Sequence, residues 1–178
     1  PGAVPPPNRQ PRSEAAPGLK LRIVVVGHKA PDWVAAGFED YARRMPREAR
    51  IELAEIKPAA RSRQAQSGAS IAQILASEKA RILAAVPTDS VKIALDERGK
   101  SLSTANLARK LAEWLQMGRD VSFIIGSADG LDQGLKKDAD LLLSLSAMTL
   151  PHAMVRVMLA EQLYRAMSLI QNHPYHRE

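Results

Sequence analysis

Apolar positions change period several times along this chain, and each change marks an element. In "LKLRIVVVG" (19 to 27) β-branched side chains run together and stop at glycine, which predicts a buried strand. "PDWVAAGFEDYARRMP" then sets Trp33, Phe38 and Tyr41 near one helical face, with Asp32 as the expected N-cap and Pro46 as the stop. "IELAEI" (51 to 56) alternates like a strand. Ser70 is the expected cap of a helix running to about Val86, with Ile71, Ile74, Leu75 and Ile82 turned inward. "VKIAL" (91 to 95) is a third strand, and Ser103 caps a helix that ends at Gly118. "VSFIIG" (121 to 126) and "DLLLSLS" (140 to 146) are the last strands, separated by a short helix around 131 to 139. A long helix follows from near His152 to about Gln171.

Strands and helices therefore alternate five times, which predicts an α/β fold: a parallel sheet with helices on both faces. Ligands of such sheets bind beyond the carboxyl ends of the strands. Here those ends read "VGHK", "LDERG", "IGSADG" and "LSAMTLPH". General rules favour an unknotted, doubly wound sheet.

Composition changes this picture in four ways. Residues 1 to 18 carry six prolines and almost no large apolar side chains, so they are expected to be a disordered leader or tag ahead of one domain spanning 19 to 178. The chain has no cysteine, which excludes disulfides, thiolate metal sites and cysteine nucleophiles and fits a reducing, cytoplasmic setting. No apolar run is long enough to predict a membrane span. The formal net charge of +6 favours a polyanionic partner such as nucleic acid. Lys57, Arg61 and Arg63 concentrate that charge in "KPAARSRQAQSGA", an acid-free stretch with no apolar period that reads as a basic loop.

Four stretches could carry chemistry. "GKS" (99 to 101) lacks the earlier glycine of a phosphate-binding loop, because Ala94 holds that position, so a solvated turn is expected. "GSADG" (126 to 130) is either a turn that needs glycine or a place where backbone approaches a ligand. It lacks the glycine spacing of a dinucleotide site, which speaks against a nicotinamide enzyme. "LSLSAMTLPH" (143 to 152) runs from a strand through small and hydroxylic residues into a proline-led helix. The tail "NHPYHRE" (172 to 178) crowds His173, Tyr175, His176 and Arg177 where chains usually fray. Pro174 separates the two histidines and no carboxylate or thiol supports them, so no metal site is expected.

Taken together, "PDWVAAGFEDYARR", "IIGSADGL", "LSLSAMTLPHAMVRVMLAEQLYRA" and "NHPYHRE", in this order and spacing, closely resemble the bacterial ribosomal large subunit methyltransferase H family. The likeness extends over residues 19 to 178. It implies a SPOUT, or α/β-knot, fold with a C-terminal trefoil knot, and a homodimer. It also implies methyl transfer from S-adenosylmethionine to N3 of a pseudouridine in helix 69 of 23S rRNA within the ribosome. By the same resemblance, Leu95, Gly126, Leu145, Ser146, Ala147, Met148, Thr149 and Leu150 would form the cofactor pocket. Two residues depart from the family pattern: Ser127 stands where a second glycine is usual, and Asp129 where glutamate is usual.

Transfer to N3 requires alignment of the methyl group with the nitrogen, removal of the N3 proton and stabilisation of charge on the flanking oxygens. His152 and His176 are the candidate bases, Arg177 suits the oxygens, and Tyr175 can stack on or orient the base. A helix-start role for His152, bonded to backbone, is the alternative at that position. For the whole chain, the alternative is a basic RNA-binding α/β domain without methyltransferase activity. The long final helix, apolar over more than one face at Met154, Val155, Met158 and Leu159, is the expected dimer seam.

Overall fold

The computed structural model describes residues 18–60, 68–173 and 175. The expected leader, Arg61, Arg63, His176 and Arg177 lie outside the described residues, apart from Gly18 at the leader's end. Ten elements alternate: β1 (Leu19–Val26), α1 (Asp32–Arg44), β2 (Ala49–Ile56), α2 (Gly68–Ala85), β3 (Val91–Ser101), α3 (Thr104–Met117), β4 (Val121–Ile125), α4 (Gln133–Lys137), β5 (Leu141–Ser144) and α5 (His152–Ile170). The five strands form one parallel sheet in the order β2-β1-β4-β3-β5, so all their carboxyl ends emerge on one edge.

The continuous apolar runs were the right signal for these strands, because both sheet faces are covered. Alternate residues of β1 and β4 enter two separate cores. Leu21, Ile23, Val25 and Phe123 pack with α1, α3 and α5, while Val24, Val26 and Ile124 pack with α2 and α4. Leu163 and Leu159 of α5 and Leu111 of α3 are fully buried in the first core; Ile82 of α2 anchors the second.

Several local expectations hold and others are corrected. Ser103 caps α3 by accepting from the Asn106 N–H, and Gly118 ends that helix in the left-handed region at φ 63°. Asp32 is not a cap: it lies in the first turn of α1, where its charge suits the positive end of the helix, and Pro31 precedes it without a side-chain bond. Trp33 is 62% exposed, because its position in α1 falls outside the arc of Val34 and Phe38 that meets the sheet. Ser70 lies inside α2, which already begins at Gly68.

"GKS" is no solvated turn. β3 bulges out after Leu95 and returns at Lys100, so that both residues pair with Leu143. Gly99 makes the return possible: a Cβ there would stand 2.7 Å from the Leu143 carbonyl carbon.

Candidate active site

The carboxyl ends of β3, β4 and β5 enclose a cleft of about 530 Å³, a volume suited to a cofactor-sized ligand. The β3 bulge forms one wall with Leu95 and Asp96. The loop after β4 forms a second with Gly126 to Leu131, and the β5–α5 loop closes the third. Of the residues expected there, Leu95, Gly126, Leu145, Ser146, Met148, Thr149 and Leu150 line the cleft, and so does His152. Ala147 belongs to the same loop but does not border the cleft.

Each wall is held by identifiable local bonds. After β4 the chain turns back at once: the Gly130 N–H donates to the Ser127 carbonyl at 2.9 Å, and Gly130 takes φ 89°. Gly126 is required by this turn rather than by dihedral freedom. A Cβ on it would stand 2.3 Å from the Gly130 carbonyl oxygen. From the end of β5 into the β5–α5 loop, two serines brace the chain. The Ser144 hydroxyl donates to the Ser146 carbonyl, and the Ser146 Oγ accepts from the Met148 N–H, each at 2.9 Å. The hydroxyl-rich run is therefore a self-braced loop that leaves Met148 74% exposed.

Two polar features cross the cleft. Lys136 of α4 pairs with Asp96 at 2.5 Å, and both side chains are largely buried. Burial works to raise the Asp96 pKa, but hydrogen bonds from Lys136 and from the Arg98 N–H outweigh it and hold the carboxylate below its ordinary range. His152, the first residue of α5, donates its Nε2–H to the Gly126 carbonyl at 2.7 Å. A carbonyl can only accept, so this nitrogen carries a proton, and in a neutral ring Nδ1 holds the lone pair. The ring also lies so close to Gly27 that a Cβ there would stand 2.9 Å from His152 Cε1.

The tail residue Tyr175 does not line this cleft and lies against its own α5. Asn172 takes the left-handed conformation at φ 55°, and the His173 N–H reaches back to the Ser168 carbonyl, which turns the chain back along the helix. Tyr175 then packs edge-on against Tyr164 at 4.6 Å, beneath the Arg165 guanidinium, with its hydroxyl donating to Glu161. Burial, a hydrogen bond with Tyr41 and the Glu161 charge push its pKa up to about 12. Asn172 was the sequence signal for this reversal, since asparagine tolerates the left-handed region.

Of the basic stretch, Lys57 is exposed just beyond β2. Its carbonyl accepts from Arg81, and the Ala59 N–H donates to Glu78, so α2 clamps the start of the stretch. Among the described residues no cluster of His, Asp or Glu could hold a metal ion, and no helix is long and apolar enough to cross a membrane.

The chain also resembles known proteins. A family model described as "Predicted SPOUT methyltransferase" matches residues 19–176. The protein named Ribosomal RNA large subunit methyltransferase H of Paraburkholderia phymatum is 60% identical over 159 residues, covering 89% of this chain and 99% of that protein. Its namesake in Burkholderia multivorans is 58% identical over the same shares of both chains. Among solved structures, the SpoU methyltransferase AviRb of Streptomyces viridochromogenes, in complex with the cofactor AdoMet, is far more distant. It aligns over 86% of this chain and 58% of its own at 12% identity and a TM-score of 0.43. On the family match and the near-complete coverage of its relatives, this chain belongs to the ribosomal RNA large subunit methyltransferase H family of SPOUT methyltransferases.

Proposed function

We propose that this protein transfers a methyl group from S-adenosylmethionine to N3 of a pseudouridine in helix 69 of 23S rRNA, as a homodimer acting on the ribosome. The observation that carries this reading is the cleft itself. It gathers at one sheet edge seven of the eight residues that the family resemblance assigns to the cofactor. Relatives of this chain are named for methylation of large-subunit rRNA, and the nucleotide and atom come from that family resemblance. The C-terminal trefoil knot is part of the same proposal.

The cleft's chemistry fits the proposed cofactor. Leu95, Leu145 and Leu150 offer apolar walls for a planar base, and the paired Asp96 and Lys136 give the lining a polar patch. When bound, the cofactor supplies an electrophilic methyl group. The protein's own task is to orient the target nitrogen, remove its proton and hold the charge left on the imide oxygens. His152 and His176 are the candidate bases. The His152 Nε2–H is engaged by Gly126, so His152 would have to accept at Nδ1, whereas His176 belongs to a tail rich in groups suited to an imide. Arg177 would face the oxygens, and Tyr175 would stack on the unpaired base.

The position of Tyr175 supports a tail that serves the partner's cleft. Its ring rests on Tyr164, twelve residues and roughly 18 Å along α5 from His152. The partly exposed apolar side of α5, with Met154, Val155 and Met158, supports pairing of two copies along this helix. Lys57, Arg61 and Arg63 would contact rRNA phosphates with little sequence choice.

The test is methylation of ribosomes that carry or lack the pseudouridine, with the product mapped to its nucleotide and atom. Methyl incorporation confined to the pseudouridine at N3 is expected. Equal incorporation into ribosomes lacking it, or none into either, would overturn the reading.

A further inference from the structure

Arg156 is a buried charge that the proposed chemistry does not use. Its side chain is only 3% exposed, one turn beyond His152 on α5. Burying a guanidinium is costly unless its donors are satisfied. Here NH1 donates to Glu55 at 2.5 Å, while the buried Nε has no partner among the described residues. NH2 lies 3.8 Å from where a Cβ of Gly27 would stand, the same point that the His152 ring approaches at 2.9 Å. Arg156 and His152 thus press side by side on the carboxyl end of β1, and among the described residues the charged partner of Arg156 comes from the end of β2.

This geometry forms a continuous path. Glu55 holds Arg156, Arg156 orients the first turns of α5, and His152 on those turns holds the Gly126 carbonyl at 2.7 Å. Gly126 begins the loop that walls the cleft. Glu55 is 44% exposed and lies two residues before Lys57, where the basic stretch begins. An apolar side chain could fill the Arg156 site without a buried charge. A charged pair at this point has a use if position matters more than stability.

We propose that Glu55 and Arg156 are positioning residues that set the cofactor cleft through His152 and Gly126. The inference rests on the reading that the cleft holds S-adenosylmethionine. Removing the Glu55 charge would leave the guanidinium without its counter-charge among the described residues, free to seek other acceptors and turn α5 with it.

The experiment measures S-adenosylmethionine affinity by calorimetry, alongside thermal unfolding, in the full chain and in Glu55→Gln, Arg156→Lys, His152→Ala and the Glu55→Gln/His152→Ala pair. Glu55 is half-exposed, so its variant keeps the test open if Arg156→Lys does not fold. Glu55→Gln should weaken binding about tenfold, as for coupled sites generally. Once His152 is absent, the same change should have little further effect. A pair that only stabilises the fold would lower the unfolding temperature and leave affinity unchanged. That result, or additive losses in the double variant, overturns the inference alone. Failure of the unmodified chain to bind S-adenosylmethionine overturns the cofactor reading and the inference with it.

Discussion

The two ends of α5 are held by different physics. At its start His152 and Arg156 meet the sheet through directed polar bonds to Gly126 and Glu55. Further along, Leu159, Ala160, Leu163, Ala166 and Met167 are buried by apolar packing. Hydrogen bonds and ion pairs specify distance and angle but add little net stability once desolvation is counted. Apolar burial adds stability but tolerates small shifts. The helix therefore separates two duties, geometry at the cleft and stability in the core.

The largest expected effect breaks the stable end. Leu163→Ala removes a fully buried side chain from the larger core and should cost about 2–5 kcal/mol in chemical denaturation. Cofactor affinity of the fraction that stays folded should remain near that of the unmodified chain. A large affinity loss there would dissolve the separation of duties.

The complementary change breaks the geometric end. Gly126→Ala places a methyl group 2.3 Å from the Gly130 oxygen, a clash only backbone movement can relieve. S-adenosylmethionine binding should fall on the order of a hundredfold, about 2.7 kcal/mol, as read by calorimetry. Unaltered binding would remove this loop from the cofactor site.

Tyr175 sharpens the comparison, because it adds a polar bond to the apolar end. Tyr175→Phe loses the hydroxyl bond to Glu161 and should cost about 0.5–1.5 kcal/mol in stability. Its pH dependence has a definite sign. The phenol pKa is raised from about 10 in an unfolded chain to about 12 in the folded one. The docking of Tyr175 is therefore at full strength below the first value and lost as pH rises through the second. Phenolate absorbance should follow that loss, and the Phe variant should show no corresponding step in stability.

The smallest effect concerns Ser127, whose buried hydroxyl has no partner among the described residues. Ser127→Gly removes an unsatisfied group worth about 1–3 kcal/mol and adds a backbone entropy cost of roughly 0.5–1 kcal/mol. The net change in unfolding free energy should be a small gain. A clear loss would mean that the hydroxyl is hydrogen-bonded in solution.

Much of the fold was legible because its signals are local. Short β-branched runs such as "RIVVV" and "SFIIG", each bounded by glycine, favour interior strands, and their alternation with helices pointed to the parallel sheet. Ser103 and Gly118 marked the ends of α3 for similarly local reasons. The cleft was legible in outline, since parallel strands bring their carboxyl ends to one edge. Its proposed ligand was not: that came from matching whole segments to a family.

Contacts between distant segments were decided only in three dimensions. Sequence did not show that β4 lies between β1 and β3, or that Gly99 lets β3 bulge and return beside β5. Nor did it show that Gly126 is required by Gly130, or that Tyr175 docks on Tyr164. The Glu55–Arg156 bond joins residues 101 positions apart. Periodicity reports which side of its own element a residue faces. It carries no information about which other element waits there, because that depends on the order of the strands in the sheet.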